Sequence, residues 1–189
     1  MTWHFAALPM LSVLAAVLEA DSVHVGQWML SRPVIVGPLF GAVLGSAWTG
    51  ALLGSLVEMI GVESKPVGCV VPANGTVAAA IGVLLCLGPD GVVPAAAFPA
   101  ALACGVLFSR IEEGLRVRRA ALALPALEAV EEDRPIPWGG LFARSIGLHA
   151  AATAVFVYAA SALLGPCLVR LWAALPRVLS AGAGWAFEK

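Results

Sequence analysis

Long apolar stretches without a single Lys, Arg, Asp or Glu alternate with short polar clusters along this chain. Pro33 to Val57, Pro66 to Pro89, Gly91 to Ser109 and Ser145 to Val169 are all uncharged. A helix needs roughly 20 apolar residues to cross ~30 Å of hydrocarbon, so each stretch is long enough to span a membrane or to fold back inside it. A weaker apolar stretch runs from Phe5 to Leu18, and no Lys or Arg precedes it. It lacks the basic start of a secretory signal and reads as a retained membrane segment.

The stretch from Pro33 carries an internal pattern. Gly37, Gly41 and Gly45 recur every four residues, as do Gly50 and Gly54, and each set lines one helix face with no side chain. Between them Gly45-Ser46-Ala47-Trp48-Thr49-Gly50 suits a break. Each arm then reaches roughly 18 Å, well short of a full crossing. The pattern predicts a re-entrant hairpin or a broken helix, with a single tilted helix as the competing arrangement, and in either case an interior segment. A second interruption is Pro72-Ala73-Asn74-Gly75-Thr76, a polar, turn-forming pentapeptide inside an uncharged run. Pro72 and Gly75 break the helix while Asn74 and Thr76 add side-chain donors and acceptors, the composition of a binding site in a discontinuous helix.

The one sustained polar stretch, Arg110 to Arg134, divides the chain into an N-terminal membrane block (1–109), a charged loop (110–138) and a C-terminal membrane block (139–189). Arg110, Arg116, Arg118 and Arg119 directly follow an apolar run, which places the loop in the cytoplasm. Its Ala/Leu-rich middle, Ala120 to Val130, fits a surface helix interrupted at Pro125, and the loop is either a solvated connector or a docking surface. Arg134-Pro135-Ile136-Pro137-Trp138 closes it at the membrane boundary.

Composition agrees with lipid as the solvent: of 189 residues 60% are hydrophobic and 12% charged, with a mean hydropathy of +0.93. A net charge of −1 and the lack of a phosphate-cradling glycine loop argue against nucleic-acid binding. Cys69, Cys86, Cys104 and Cys167 lie in apolar sequence, outside metal-ligand spacing of one another and of His4, His24 and His149. They read as small packing residues, and the sequence holds no metal, cofactor or catalytic-triad signature.

Three polar groups are candidates for a ligand. Glu58 ends an apolar run, where an ionisable side chain is costly: either it is functional or, with Glu63 and Lys65 beyond it, it snorkels at the interface. Asn74 and Thr76 belong to the broken-helix pentapeptide. Asp21, His24, Gln27, Trp28, Ser31 and Arg32 precede the glycine-rich run and offer carboxylate, amide and indole, groups that suit a sugar's hydroxyls and ring face among many polar ligands. His24 lacks a phosphorylation context and reads as an interfacial histidine.

In order, Gly26-Gln27-Trp28-Met29-Leu30-Ser31-Arg32-Pro33-Val34, Gly37-Pro38-Leu39 with Gly41, Leu44-Gly45, Thr49-Gly50 through Leu53-Gly54 to Glu58, and Val67-Gly68 to Val71-Pro72 resemble the IIC subunit of the mannose/fructose/sorbose phosphotransferase family. The resemblance is dense from about Asp21 to Leu87. It implies an all-α, polytopic membrane protein of the bacterial inner membrane. With a IID membrane subunit it would form a sugar pathway, while soluble IIA and IIB components relay phosphoryl groups from phosphoenolpyruvate. IIC itself would carry no phosphorylated or catalytic residue. The resemblance transfers sugar contact to Gln27, Glu58 and Asn74, and Thr76 joins them from the pentapeptide. Where the family commonly has Leu-Gly-Asp and Pro-Asp, this chain has Ser46 and Asn74, and further helices normally follow the segment Leu171 to Pro176. These departures keep a second reading open, a transport-deficient scaffold or sensor that recruits soluble phosphotransferase proteins through the charged loop.

Overall fold

A computed structural model describes residues 3–23, 26–61 and 71–175. After a π-helical turn, Trp3–Ala7, seven α-helices follow among these residues: α1 (Leu8–Val23), α2 (Pro33–Val43), α3 (Ala47–Gly61), α4 (Gly75–Leu87), α5 (Pro94–Ala121), α6 (Leu124–Glu131) and α7 (Trp138–Ala174). Three helical stretches are long and apolar enough to cross a membrane, Trp3–Ser22, Pro94–Glu131 and Trp138–Ala174. Val13, Val17, Leu107, Val117, Val155, Leu163 and Leu171 stand exposed on the outside of these long helices. An apolar exterior around a partly polar interior fits a lipid surround. His24, Glu63, Lys65, Cys69 and the tail from 176 lie outside the described residues.

The expected break in the glycine-rich stretch is present, and the chain doubles back at it. α2 ends in a left-handed Gly45, φ +94°, with Ser46 N–H donating to Gly41 O at 2.7 Å and Gly45 N–H to Ala42 O at 3.4 Å. This is a Schellman ending, which a Gly at that position permits at no steric cost. Ser46 then caps α3: its hydroxyl lies 2.8 Å from Thr49 Oγ1 and accepts Thr49 N–H. The two arms lie against each other through glycines. A Cβ on Gly37 would sit 2.8 Å from Gly54 Cα, and one on Gly41 2.9 Å from Gly50 Cα. No side chain fits between backbones that close.

α4 is the hub. Every residue from Thr76 to Leu85 is buried, and the helix packs against α1, α2, α3, α5 and α7. Its 13 residues cover about 20 Å, too short to cross ~30 Å of hydrocarbon alone, and its capped start at Asn74 is buried. Asn74 caps its start, the side-chain oxygen accepting Val77 N–H at 2.9 Å. Gly105 of α5 lets this turn dock: Asn74 N–H donates to Gly105 O at 3.0 Å, and a Cβ at Gly105 would fall 2.8 Å from Asn74 O.

The charged stretch from Arg110 is helical where a loop was expected. α5 continues to Ala121, because Glu and Arg are good helix formers and pair along the helix, Arg110 with Glu113 and Arg116 with Glu112. Pro125 lies in the first turn of α6 rather than interrupting a helix, since its missing N–H costs nothing there.

The connection between α1 and α2 is held by one carboxylate. Asp21, 5% exposed, accepts the N–H groups of Trp28 (2.8 Å), Leu30 (2.9 Å) and Ser31 (3.4 Å). These bonds sustain a loop in which Gly26, Gln27 and Met29 all have positive φ, at 80°, 53° and 66°, a region unfavourable for the latter two.

Two outcomes are expected. Gly50→Ala should destabilise the hairpin by about 1–3 kcal/mol, lowering the midpoint of thermal unfolding in detergent, whereas Gly61→Ala, with open space around it, should leave the midpoint nearly unchanged. Asp21→Asn should raise amide hydrogen exchange at Trp28, Leu30 and Ser31 by about tenfold or more, the value of one hydrogen bond to a charged acceptor. Unchanged exchange would show that the loop is held by something else.

Candidate functional site

Where α1 ends, α2 and α4 begin and α5 passes, the helices leave a cavity of about 280 Å³. Its volume is near the lower end of the roughly 300–1,000 Å³ of small-molecule sites. Polar groups enter it from every side: Glu19 and Ser22 from α1, Ser31 and Arg32 from the loop, Asn74 and Thr76 from the start of α4, and Glu112 with Arg116 from α5. The starts of α2 and α4 meet here, for a Cβ on Gly75 would strike Pro33 Cγ at 2.7 Å, and Thr76 Oγ1 donates to Ser31 O. Two helix N-termini thus bring partial positive charge to a space with two carboxylates on its wall.

Those carboxylates are among the most buried ionisable groups of the described residues. Glu112 has a side chain only 6% exposed, and its Oε1 accepts Arg116 Nη2 at 2.8 Å and Nε at 3.3 Å. Glu19 is 2% exposed. Its Oε1 accepts Asn74 Nδ2 at 2.7 Å and Ser22 Oγ at 3.1 Å and lies 3.8 Å from Nε2 of the fully buried His149. Phe108 packs edge-on against the His149 ring, with centroids 6.4 Å apart. Buried ionisable groups in a membrane protein mark functional positions by default, because desolvating them is unfavourable without a specific return. Arginine and amide donors beside carboxylate acceptors can hold a neutral, many-hydroxyl ligand.

The four residues expected to contact a sugar are placed unequally. Asn74 and Thr76 line the cavity. Gln27 lines a shallower neighbouring depression with Asp21, Met29 and Arg32. Glu58 lines neither: it pairs with Arg32 at 3.2 Å and accepts Val34 N–H at 3.4 Å. It ties the end of α3 to the start of α2 and holds Arg32, which lines both spaces. Ser46, one of the two positions where the sequence departs from the family, caps α3 at the far tip of the hairpin.

Sequence reasoning missed Glu19, Glu112, Arg116 as a ligand group, and His149. Glu19 had a signal: a carboxylate closing an otherwise apolar stretch, like Glu58. Glu112 and Arg116 were hidden among other charges that face water or headgroups. A larger apolar groove of about 520 Å³, lined by Ala100, Cys104, Leu107, Phe156 and Leu163, runs between α5 and α7. It lacks the donors and acceptors a hydroxylated ligand needs.

The chain matches the family described as "PTS system sorbose-specific iic component" over residues 5–184. It is 30% identical over 104 residues to the putative N-acetylgalactosamine permease IIC component 2 of Escherichia coli (strain K12), a match covering 52% of this chain and 77% of that protein. Its fold is similar to that of a solved membrane protein at TM-score 0.79 and 20% identity, over 98% of this chain and 74% of the other. It is also similar, at TM-score 0.72 and 21% identity over 98% and 73% of the two chains, to a chain in the structure of the mannose transporter ManYZ with microcin E492. The all-helical membrane fold agrees with the family match. This chain belongs to the sorbose-type IIC family of the sugar phosphotransferase system, the membrane transporter subunits of the mannose family.

Proposed function

We propose that this chain is the sugar-binding IIC subunit of a phosphoenolpyruvate-dependent transporter in the bacterial inner membrane, and that the cavity between α1, α4 and α5 is its sugar site. The observation that carries the reading is the pair of buried carboxylates, Glu19 and Glu112, facing one cavity with Arg116, Asn74 and Thr76. Both carboxylates have partners within the fold, yet taking them out of water is costly, and a polar ligand in the cavity would offset that cost. Asn74 and Thr76 act at the cavity wall, Gln27 in the neighbouring depression that shares Arg32 with it, and Glu58 through Arg32.

A IID membrane subunit completes the pathway, and soluble IIA and IIB components supply the phosphoryl group. The membrane blocks 1–109 and 139–189 flank the stretch 110–138. Its arginines at the end of α5 support a cytoplasmic side for it, and IIB docks there. The scaffold reading rested partly on two lost carboxylates. Both positions are helix caps, Ser46 of α3 and Asn74 of α4, and Glu19 and Glu112 furnish the cavity with two other carboxylates, so transport is favoured. N-acetylgalactosamine is the first substrate to try, after the relative's name.

The test is phosphoenolpyruvate-dependent uptake of labelled hexoses and N-acetylhexosamines into vesicles holding this chain with its IID and soluble partners. One sugar is expected to accumulate as its phosphate. Glu112→Gln, which leaves the Arg116 fork without its carboxylate, is expected to cut that uptake about tenfold or more while the complex still assembles. Stable assembly with no uptake of any sugar would favour the scaffold.

A further inference from the structure

The hydrogen bonds around Glu19 separate its two oxygens. Oε1 is taken, by Asn74 Nδ2 and Ser22 Oγ, with His149 Nε2 at 3.8 Å. Oε2 is equally shielded from solvent and has no hydrogen-bond partner among the described residues. The side chain lines the cavity with Ser31, Arg32 and Arg116, yet neither arginine pairs with it: Arg32 is held by Glu58 and Arg116 by Glu112.

A carboxylate oxygen in this position is an acceptor that lacks a donor. The donor has to come from outside the chain, and the cavity that Glu19 lines is where a ligand would bring it. With Oε1 occupied, Oε2 is the open oxygen, so a ligand hydroxyl meets Glu19 through that one oxygen rather than bridging both. The donors elsewhere on the wall, the two guanidinium groups, face acceptors. A sugar satisfies both, since each hydroxyl both donates and accepts.

We infer that Glu19 accepts, through Oε2, the hydrogen bond of one particular sugar hydroxyl, and that Asn74 is a positioning residue that holds Glu19 for this contact. The inference rests on the sugar reading given above. Asn74 is itself firmly held, since its Oδ1 caps α4, its backbone N–H docks on Gly105, and its Nδ2 reaches Glu19. The discontinuity before α4 therefore acts mainly on α1, distant in sequence, by aiming a carboxylate there. The specificity that follows is for a hydroxyl at one ring position. A deoxy analogue leaves Oε2 unpaired, and a deoxyfluoro analogue, which accepts but cannot donate, does no better.

The experiment uses the assembled IIC/IID complex and competition by monodeoxy and monodeoxyfluoro analogues of whichever hexose or N-acetylhexosamine binds. Glu19→Gln and Asn74→Ala are measured beside the unaltered chain. In the unaltered complex, one ring position should lose about tenfold or more in affinity with either replacement. In Glu19→Gln the amide oxygen stays on Asn74 Nδ2 and the NH₂ takes the place of Oε2, so the deoxyfluoro penalty at that position should vanish. Asn74→Ala should weaken binding of the parent sugar and shrink the same penalty, which a general loss of stability would not do selectively. If no position in the unaltered complex shows matched deoxy and deoxyfluoro losses, the contact does not exist, whatever the variants do. Binding with an unchanged penalty pattern in Glu19→Gln would also overturn the role of Glu19 while leaving the sugar site in place. Failure of every sugar to bind the unaltered complex would overturn both.

Discussion

A helix that starts inside a membrane protein has no water to satisfy its first amides, and α4 starts there. Asn74 answers in several directions at once: Val77 N–H to its side-chain oxygen, its own N–H to Gly105 O, Ala78 N–H to its carbonyl, and its amide NH₂ to Glu19. The cap fixes α4, the Gly105 contact fixes α4 on α5, and the Glu19 contact fixes α1. The cavity is the space these three helices leave around that junction, so its shape follows from how the start of one helix is closed off.

The glycine hairpin is the second constraint, and it serves the first. α2 and α3 are each too short to cross a bilayer, and they stay at depth by pressing backbone on backbone through Gly37, Gly41, Gly50 and Gly54. Packed on α4, the hairpin sets Pro33 against Gly75 and brings the loop 26–32 to the cavity rim. Asp21 holds that loop in an otherwise unfavourable backbone geometry, and Glu58 clamps the hairpin's open end through Arg32. Side chains with carboxylates therefore do two distinct jobs. Asp21 and Glu58 satisfy backbone and arginine donors from their own fold, whereas Glu19 keeps one oxygen for something that is not part of the chain.

Much of the architecture was legible in the residue order. The uncharged runs marked the membrane segments, the four-residue glycine spacing and its slip at Gly45 marked the hairpin, and the pentapeptide at Asn74 marked the start of α4, because these features depend on local geometry and on the length of a membrane crossing. The charged stretch misled at one point: Arg and Glu signal an aqueous surface, and they extend a helix equally well, so α5 continues where a loop was expected.

The sequence by itself determined the solvent, the places where helices must break, and the family. It did not determine the partners of individual carboxylates. Glu19 and Asn74 are joined across 55 positions, His149 comes to Glu19 from α7, and Glu58, equally prominent in the sequence, turns away from the cavity to hold Arg32. Local periodicity fixes which face of a helix a residue occupies, but which helices meet at that face, and which oxygen is left without a donor, is decided only when the helices pack.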